Sequence, residues 1–200
     1  MSNPEFDRIA TYYDHLVDRY GHDPRACDAS TMAGLEIRYK VLSEVCDLNG
    51  MKVLEVGCGF GDLGAYLKAR RSLLRYVGID ISPRMIEEAR KCHPKLEFRC
   101  CNALELPDKD RFDVVLAQGV FYLLRENPEA RTKELIEAMF ARATRAVAFC
   151  AISSWAPKKT RNEYYVDPTR VLGWCKALTP KIVLRHDYLN NDVAVYMYKC

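Results

Sequence analysis

The sequence predicts an α/β fold: a seven-stranded, mostly parallel sheet with helices on both faces and a C-terminal antiparallel hairpin. Three observations predict it. From Lys52 onward, short runs rich in β-branched residues alternate with amphipathic helical stretches, as in crossover units that feed a parallel sheet. A glycine-rich turn directly follows the first of these runs. The last two runs, in contrast, have no helix between them.

Length and composition set the broad class. A chain of 200 residues fits one domain with a sizeable core. Its composition, 49% hydrophobic and 28% charged, is typical of a soluble globular protein. The net charge of +3 comes without a concentrated basic face, so a nucleic-acid partner is disfavoured. We find no apolar run of membrane-spanning length and no secretion signal, and therefore expect a cytoplasmic protein with no membrane partner.

The nine cysteines do not form a recognisable ligand pattern. There is no CxxC pair, and the one adjacent pair, Cys100 and Cys101, lies inside a strand-like run. Scattered reduced thiols are favoured over disulfides or metal ligands. We expect no metal site.

The first fifty residues differ from the rest of the chain. Leu35, Tyr39, Leu42 and Val45 are spaced to bury one face of a helix, and Tyr12, Tyr13 and Tyr20 make the preceding segment rich in aromatic residues. We expect one domain over 1–200, in which 1–50 form a helical lid or cap and 51–200 form the core.

The elements of the core follow in order. Strands are predicted at 53–56, 76–80, 96–100, 112–117 and 146–152. Helices are predicted to begin at Ser82-Pro83, near Pro128 and at Asp167-Pro168, because Ser and Asp cap helices and Pro suits the first helical position. Runs 181–187 and 193–198, joined through Asn190-Asn191, predict the terminal hairpin.

The glycine-rich turn predicts a ligand that approaches the backbone closely. It can be divided in two ways: Gly57, Gly59 and Gly61 give GxGxG, whereas Gly59, Gly61 and Gly64 give GxGxxG, the dinucleotide fingerprint. The glycines alone do not choose between the two.

Asp80 supplies the second half of the site. It ends the second strand, where a carboxylate can accept hydrogen bonds from both hydroxyls of a ribose. This position suits an adenosyl ligand or NAD equally. Alternatively, Asp80 caps the helix that begins at Ser82-Pro83.

Two segments carry a family resemblance. Residues 53–61, VLEVGCGFG, and 77–82, VGIDIS, resemble the class I S-adenosylmethionine-dependent methyltransferases, and the likeness extends from about Arg38 to the hairpin. It implies a Rossmann-like fold, methyl transfer as the activity and S-adenosyl-L-methionine as the cofactor, with S-adenosyl-L-homocysteine as product. Members of this family share the reversed last strand.

The expected cofactor site combines the glycine turn, the strand ends and the N-terminal helices. By resemblance, Asn102 and Ala103 lie near the adenine and Gln118 near the methionine end. Glu55 is expected to hold the methionine ammonium, and Arg38 its carboxylate. The full expected set is Tyr13, Arg38, Glu55, Gly57, Cys58, Gly59, Gly61, Asp80, Ile81, Met85, Asn102, Ala103 and Gln118.

The acceptor side is less constrained. By resemblance, Phe121 and Tyr122 border the acceptor pocket, although both could be core residues. Arg161, Tyr164 and Tyr165 follow the fifth strand and suggest a small polar, even anionic, acceptor. Tyr20 is a further candidate from the lid.

In-line transfer from a sulfonium depends mainly on alignment, and a general base is needed when the acceptor arrives protonated. The candidates are His186 with Asp187, and His15, with His22 as a further possibility.

Two other functions remain open: an NAD-dependent oxidoreductase, and a non-catalytic module that binds S-adenosylmethionine. No Tyr-x-x-x-Lys dehydrogenase motif is present, and neither Asn-Pro-Pro-Tyr nor Asp-Pro-Pro-Tyr follows the fourth strand, as in nucleic-acid amino-methylating enzymes. We therefore expect a methyltransferase that acts on an oxygen or nitrogen of a small molecule, as a monomer or homodimer.

Overall fold

A mixed β-sheet forms the centre of the protein. The computed structural model describes residues 3–28, 31–71 and 73–200. Within these ranges the sheet has seven strands: β1 (Lys52–Val56), β2 (Arg75–Asp80), β3 (Glu97–Cys100), β4 (Phe112–Gln118), β5 (Ala143–Ile152), β6 (Ile182–Arg185) and β7 (Asp192–Tyr198).

The strand order is β3-β2-β1-β4-β5-β7-β6. Strands β1 to β5 pair in parallel, and β7 runs antiparallel to both of its neighbours. The order reverses between β1 and β4, and in open α/β sheets ligands bind at the carboxyl ends of the strands at such a point. β6 lies at the far edge of the sheet because β7 inserts between it and β5.

Six α-helices surround the sheet in the described part of the chain: α1 (Pro4–Tyr20), α2 (Met32–Ser43), α3 (Asp62–Arg70), α4 (Pro83–Cys92), α5 (Pro128–Arg142) and α6 (Pro168–Leu178). Two short 3-10 helices occur at Pro24–Cys27 and Ala103–Glu105. None of the described helices is both long and apolar enough to cross a bilayer.

Local sequence explains where several helices start. The side chain of Ser82 accepts a hydrogen bond from the backbone amide of Met85, and Asp167 caps α6 in the same way. Proline occupies the first turn of both helices. These two predicted starts agree with the structure.

The core lies on both faces of the sheet. Central strands such as β4 are buried along almost their whole length, as expected for strands covered on two sides. One face carries a cluster that includes Leu54, Val115 and Ile136, and the other a cluster that includes Val53, Val114 and Leu42. The predicted fold class, including the reversed terminal strand, is confirmed.

Helix α1 is held in place by polar contacts at two points along its length. Near its start, Oε1 of the buried Glu5 accepts hydrogen bonds from the backbone amides of Arg125 and Glu126, at 2.5 and 2.8 Å. Further along, Asp14 accepts from the Ser82 hydroxyl at 2.6 Å. The helix is thereby held beside the carboxyl ends of β2 and β4.

Candidate active site

A cavity opens at the carboxyl ends of β1, β2 and β4, beside α1. It contains about 1090 Å³ of space that is not filled by protein atoms, counting its open mouth. Phe6, Ile9 and Tyr13 line it from one face of α1, since their spacing places them on one side of a helix. The opposite wall is the turn between β1 and α3.

This glycine turn needs its glycines for different reasons. Gly57, Gly59 and Gly61 all have positive φ, of 69, 50 and 80°, a conformation that L-residues with side chains rarely adopt. A Cβ on Gly57 would lie 2.4 Å from Val120, and one on Gly61 would lie 2.4 Å from the Phe98 ring. A Cβ on Gly59 would meet nothing closer than Cys27 Sγ at 3.4 Å. At Gly59, therefore, the absence of a side chain leaves space open to the cavity.

Gly64, the last glycine of the alternative GxGxxG pattern, serves packing instead. A Cβ there would lie 2.5 Å from the ring of Tyr76, and one on Gly78 would lie 2.8 Å from the Tyr76 hydroxyl. Gly64 of α3 and Gly78 of β2 thus both leave room for the buried side chain of Tyr76. Gly64 does not line the cavity.

Asp80 is buried at the end of β2 and lines the cavity. Its Oδ2 accepts a hydrogen bond from the Gly59 amide at 2.9 Å, and its Oδ1 accepts from the Ser82 amide at 2.9 Å. Burial raises the pKa of Asp80, while these amide bonds oppose that rise. The carboxylate thus joins the glycine turn to the start of α4. A carboxylate oxygen accepts more than one hydrogen bond, so both oxygens can still serve a ligand.

The backbone amides of the turn are already engaged. Those of Gly57 and Cys58 donate to the Ile79 carbonyl at 2.9 and 3.0 Å, and that of Gly59 donates to Asp80. Loops that bind phosphate present such amides to the anion. These three amides of the turn are not presented in that way.

The ionisable groups around the turn are acidic. Glu55, Asp62 and Asp80 line the cavity, and among the residues that the structure describes no lysine or arginine does. Burial raises the pKa of Glu55 well above its ordinary value, while a hydrogen bond from the Tyr76 hydroxyl opposes this effect. A cation bound nearby would stabilise the charged form of Glu55.

Gln118 closes the end of β4 and lines the cavity. Its side-chain oxygen is buried and lacks a hydrogen-bond partner among the described residues. Buried acceptors are normally paired, since an unpaired one costs about 1 to 3 kcal/mol. A polar ligand in the cavity would satisfy it.

Two tyrosines meet at the mouth of the cavity. The hydroxyls of Tyr13 on α1 and Tyr122 after β4 are 2.5 Å apart. Tyr122 also donates to Asp28 Oδ2 at 3.1 Å, and Tyr12 donates to the same oxygen at 2.9 Å. The contact joins the N-terminal segment to the loop after β4.

Most of the expected cofactor residues come together here. The cavity is lined by Tyr13, Glu55, Gly57, Cys58, Gly59, Asp80, Ile81, Met85, Asn102, Ala103 and Gln118. Gly61 stands just behind this wall, at the start of α3. Of the expected acceptor residues, Tyr122 lines the cavity.

Three other expected residues lie outside it. The Arg38 guanidinium pairs with the buried carboxylate of Asp192, its NH2 group 3.2 Å from Oδ1, and does not line the cavity. Tyr20 packs under the Arg25 guanidinium, 4.7 Å from its ring centre. Phe121 is fully buried against Phe149 in the core.

The expected proton acceptors are not at the cavity either. His186 Nε2 lies 2.8 Å from Ser153 Oγ, Asp187 pairs with Arg185, and His15 is exposed on α1. His186 and Asp187 follow β6, which is four strands from β1, or roughly 19 Å at about 4.8 Å per strand.

The segment after β5 was expected to contact the acceptor, yet its side chains point elsewhere. Arg161 is exposed, and the Tyr165 hydroxyl donates to Glu163 at 2.6 Å. The Tyr164 backbone amide donates to the Tyr122 carbonyl at 2.8 Å, so this residue lies directly behind the cavity wall. None of the three side chains lines the cavity.

The structure also adds residues that sequence reasoning missed. Asp62 lines the cavity and accepts hydrogen bonds from His22 and His93, each with Nε2 3.0 Å from a carboxylate oxygen. Its place as the first residue after the glycine turn was the available signal. Cys27 and Tyr39 reach the cavity from the N-terminal helices, and no local motif marks them.

The sheet order, the glycine turn and the facing carboxylate define a Rossmann-like domain, and in such domains a carboxylate at this position holds the ribose of the ligand. Comparison with known proteins narrows this class. Residues 53–147 match a family model described as a methyltransferase domain. Among curated relatives, a Mycobacterium tuberculosis protein with a provisional methyltransferase name is 29% identical over 144 residues, which are 67% of this chain and 84% of that protein.

The demethylmenaquinone methyltransferase of Thermotoga maritima is 34% identical over 113 residues, 55% of this chain. The match spans less than half of that relative, 44% of its length. Among solved structures, the magnesium protoporphyrin IX methyltransferase of Synechocystis with bound S-adenosylmethionine superposes with a TM-score of 0.73. It is 14% identical, with 100% of this chain and 99% of that chain covered, a likeness of fold. The chain is thus similar to methyltransferases in the sequence of residues 53–147, and its fold is similar to that of one with bound S-adenosylmethionine.

Proposed function

We propose that this protein transfers a methyl group from S-adenosyl-L-methionine to an oxygen or nitrogen of a small molecule, by in-line displacement. The charge of the cavity carries the proposal. Three carboxylates, Glu55, Asp62 and Asp80, surround the glycine turn, and among the described residues no lysine or arginine lines the cavity. This arrangement favours a ligand with sulfonium and ammonium charges over a dinucleotide with an anionic pyrophosphate.

Individual residues would each bind a different part of the cofactor. Asp80 suits the ribose hydroxyls because its oxygens are fixed by the Gly59 and Ser82 amides. Glu55 suits an ammonium group, and the unpaired oxygen of Gln118 supplies a further polar acceptor. Bound S-adenosylmethionine supplies a methyl carbon made electrophilic by its positively charged sulfur.

The chain itself contributes alignment and exclusion of water. Apolar side chains of α1, chiefly Phe6 and Ile9, cover the cavity opposite the glycine turn. Holding two reactants in line can supply about 7 to 11 kcal/mol of the barrier reduction. We propose that α1 and the segment that follows it act as a cap over the core.

The class of acceptor is also part of the proposal. The demethylmenaquinone and magnesium protoporphyrin enzymes are named for small-molecule acceptors, which supports an acceptor of that class here. The described chain spans less than half of the demethylmenaquinone relative.

Calorimetric titration separates the proposal from its competitors. We expect S-adenosylhomocysteine to bind with micromolar or tighter affinity and NAD not to bind. Binding of NAD alone would overturn the proposal in favour of an oxidoreductase. Release of S-adenosylhomocysteine during incubation with S-adenosylmethionine and a metabolite panel then distinguishes an enzyme from a non-catalytic binding module.

A further inference from the structure

The hydrogen bonds at the mouth of the cavity have a direction. A phenol has one proton to donate, and an ionised carboxylate has none. Tyr122 lies 3.1 Å from Asp28 Oδ2 and donates to it. The hydroxyl of Tyr122 is then used as a donor, so in its contact with Tyr13 it must accept.

This direction leaves one group free to accept. Tyr13 donates its hydroxyl proton to Tyr122. The lone pairs of Tyr13 Oη are then available to accept a hydrogen bond from a further donor. Tyr13 and Tyr122 both line the cavity. Burial raises the pKa of both phenols well above their ordinary value, which keeps them protonated and able to pass a proton. Asp28, at the other end, is exposed to solvent.

The surrounding wall is apolar. Next to Tyr13 on the same face of α1 lie Phe6 and Ile9, and the loop and helix after β4 contribute Leu123 and Leu135. All four side chains belong to one buried apolar cluster. A molecule held here would place a largely hydrophobic body against this wall, with a polar group toward Tyr13.

We propose that Tyr13, Tyr122 and Asp28 form a proton relay that takes the proton from a hydroxyl group of an apolar, phenol-like acceptor during methyl transfer. The proposal rests on the proposed function. The acceptor oxygen forms a bond to the methyl carbon while the carbon–sulfur bond breaks and sulfur keeps its electron pair. The acceptor proton moves to Tyr13 Oη, the Tyr13 proton to Tyr122 Oη, and the Tyr122 proton to the Asp28 carboxylate, which loses it to water.

In this scheme Tyr13 is the catalytic residue, because it contacts the acceptor. Tyr122 and Asp28 act through it. Tyr12 donates to the same carboxylate oxygen from outside the chain of bonds that leads to the cavity. Tyr12→Phe is therefore a matched control that removes one hydroxyl from Asp28 without interrupting the relay.

The test uses phenols of graded acidity: 4-hexylphenol and its ring-fluorinated and ring-nitrated analogues, assayed with the full-length chain and S-adenosylmethionine. A weakly acidic phenol needs the relay, whereas a nitrated phenol arrives already ionised. We expect Tyr122→Phe and Asp28→Asn to lower kcat for 4-hexylphenol by about 100-fold, a general-base effect. For the nitrated analogue the loss should be under about threefold, with an unchanged KM for S-adenosylmethionine. Tyr12→Phe should behave as wild type.

A binding measurement tests Tyr13 without turnover. In calorimetry on the complex with S-adenosylhomocysteine, the wild type should prefer 4-hexylphenol to 4-hexyltoluene, and Tyr13→Phe should abolish that preference. Equal losses of kcat across the phenol series would overturn the relay. So would tight S-adenosylhomocysteine binding with methylation of none of these phenols, a result that leaves the proposed function standing. Failure to bind S-adenosylhomocysteine would instead remove the proposed function itself.

Discussion

Three glycines with positive φ, two of them in the glycine turn, allow strain, steric contact and ligand contact to be separated by equivalent substitutions to alanine. Gly50, Gly59 and Gly61 all have positive φ, of 73, 50 and 80°. A new Cβ would meet nothing within 4 Å on Gly50, Cys27 Sγ at 3.4 Å on Gly59, and the Phe98 ring at 2.4 Å on Gly61. Gly50→Ala therefore measures strain alone.

The magnitudes follow from these surroundings. A left-handed alanine costs about 1 to 2 kcal/mol, so Gly50→Ala and Gly59→Ala should lower the free energy of unfolding by that amount. Gly61→Ala adds overpacking against Phe98, for a loss of about 2 to 5 kcal/mol. The new methyl of Gly59→Ala enters the cavity, and we expect affinity for S-adenosylhomocysteine to fall at least about tenfold, or 1.4 kcal/mol.

Urea denaturation and calorimetry check the three variants side by side. Gly50→Ala should bind S-adenosylhomocysteine like the wild type, because it is remote from the cavity. Wild-type affinity in a folded Gly59→Ala protein would refute the placement of the ligand against the turn. Equal stability of Gly61→Ala and Gly50→Ala would refute the steric argument for Gly61.

Three further predictions concern buried carboxylates. Asp80→Asn should weaken S-adenosylhomocysteine binding by about ten- to hundredfold, which corresponds to the free energy of hydrogen bonds to a charged group. An unchanged affinity in calorimetry would contradict the proposal that Asp80 binds the ribose hydroxyls. Burial raises the pKa of Glu55 above its unfolded value, so the native state binds more protons, and stability should fall as the pH rises above the ordinary glutamate pKa of about 4.3. Glu55→Gln should reduce the difference in the free energy of unfolding between pH 5 and pH 8, measured by urea titration. An unchanged difference would show that other groups cause this pH dependence. Glu5→Ala removes the acceptor for two backbone amides and should lower the free energy of unfolding by about 2 to 4 kcal/mol. Proteolysis of α1 should become faster, and cleavage at the wild-type rate would argue against this anchoring role of Glu5.

The sheet and much of the cofactor wall could be predicted because the signals are local. Val53 to Gly61 contains a strand and a turn whose positive φ angles favour glycine, and Asp80 ends the next strand along the chain. Strands that follow one another across a glycine turn and one helix pair side by side in this fold. Short-range pattern was therefore enough to bring Gly59 and Asp80 together.

The candidate bases could not be placed in this way. His186 follows a strand end, as Asp80 does, but its position depends on β7 inserting between β5 and β6. That order is set by long-range pairing. Arg38 shows the same limit, because its partner Asp192 lies 154 positions away in the sequence. The relay residues Tyr13, Tyr122 and Asp28 likewise come from three separate segments.

Tyr76 shows how the core and the site are inherited together. Its ring fills the space left by the absent side chains of Gly64 and Gly78, and its hydroxyl holds Glu55 at the cavity. Any related chain that enlarges either glycine has to shrink this aromatic residue, and then loses the hydroxyl that orients the acidic group. These four positions should consequently change as a block during divergence, so that exchanging one of them between homologues transfers neither the packing nor the ligand contact.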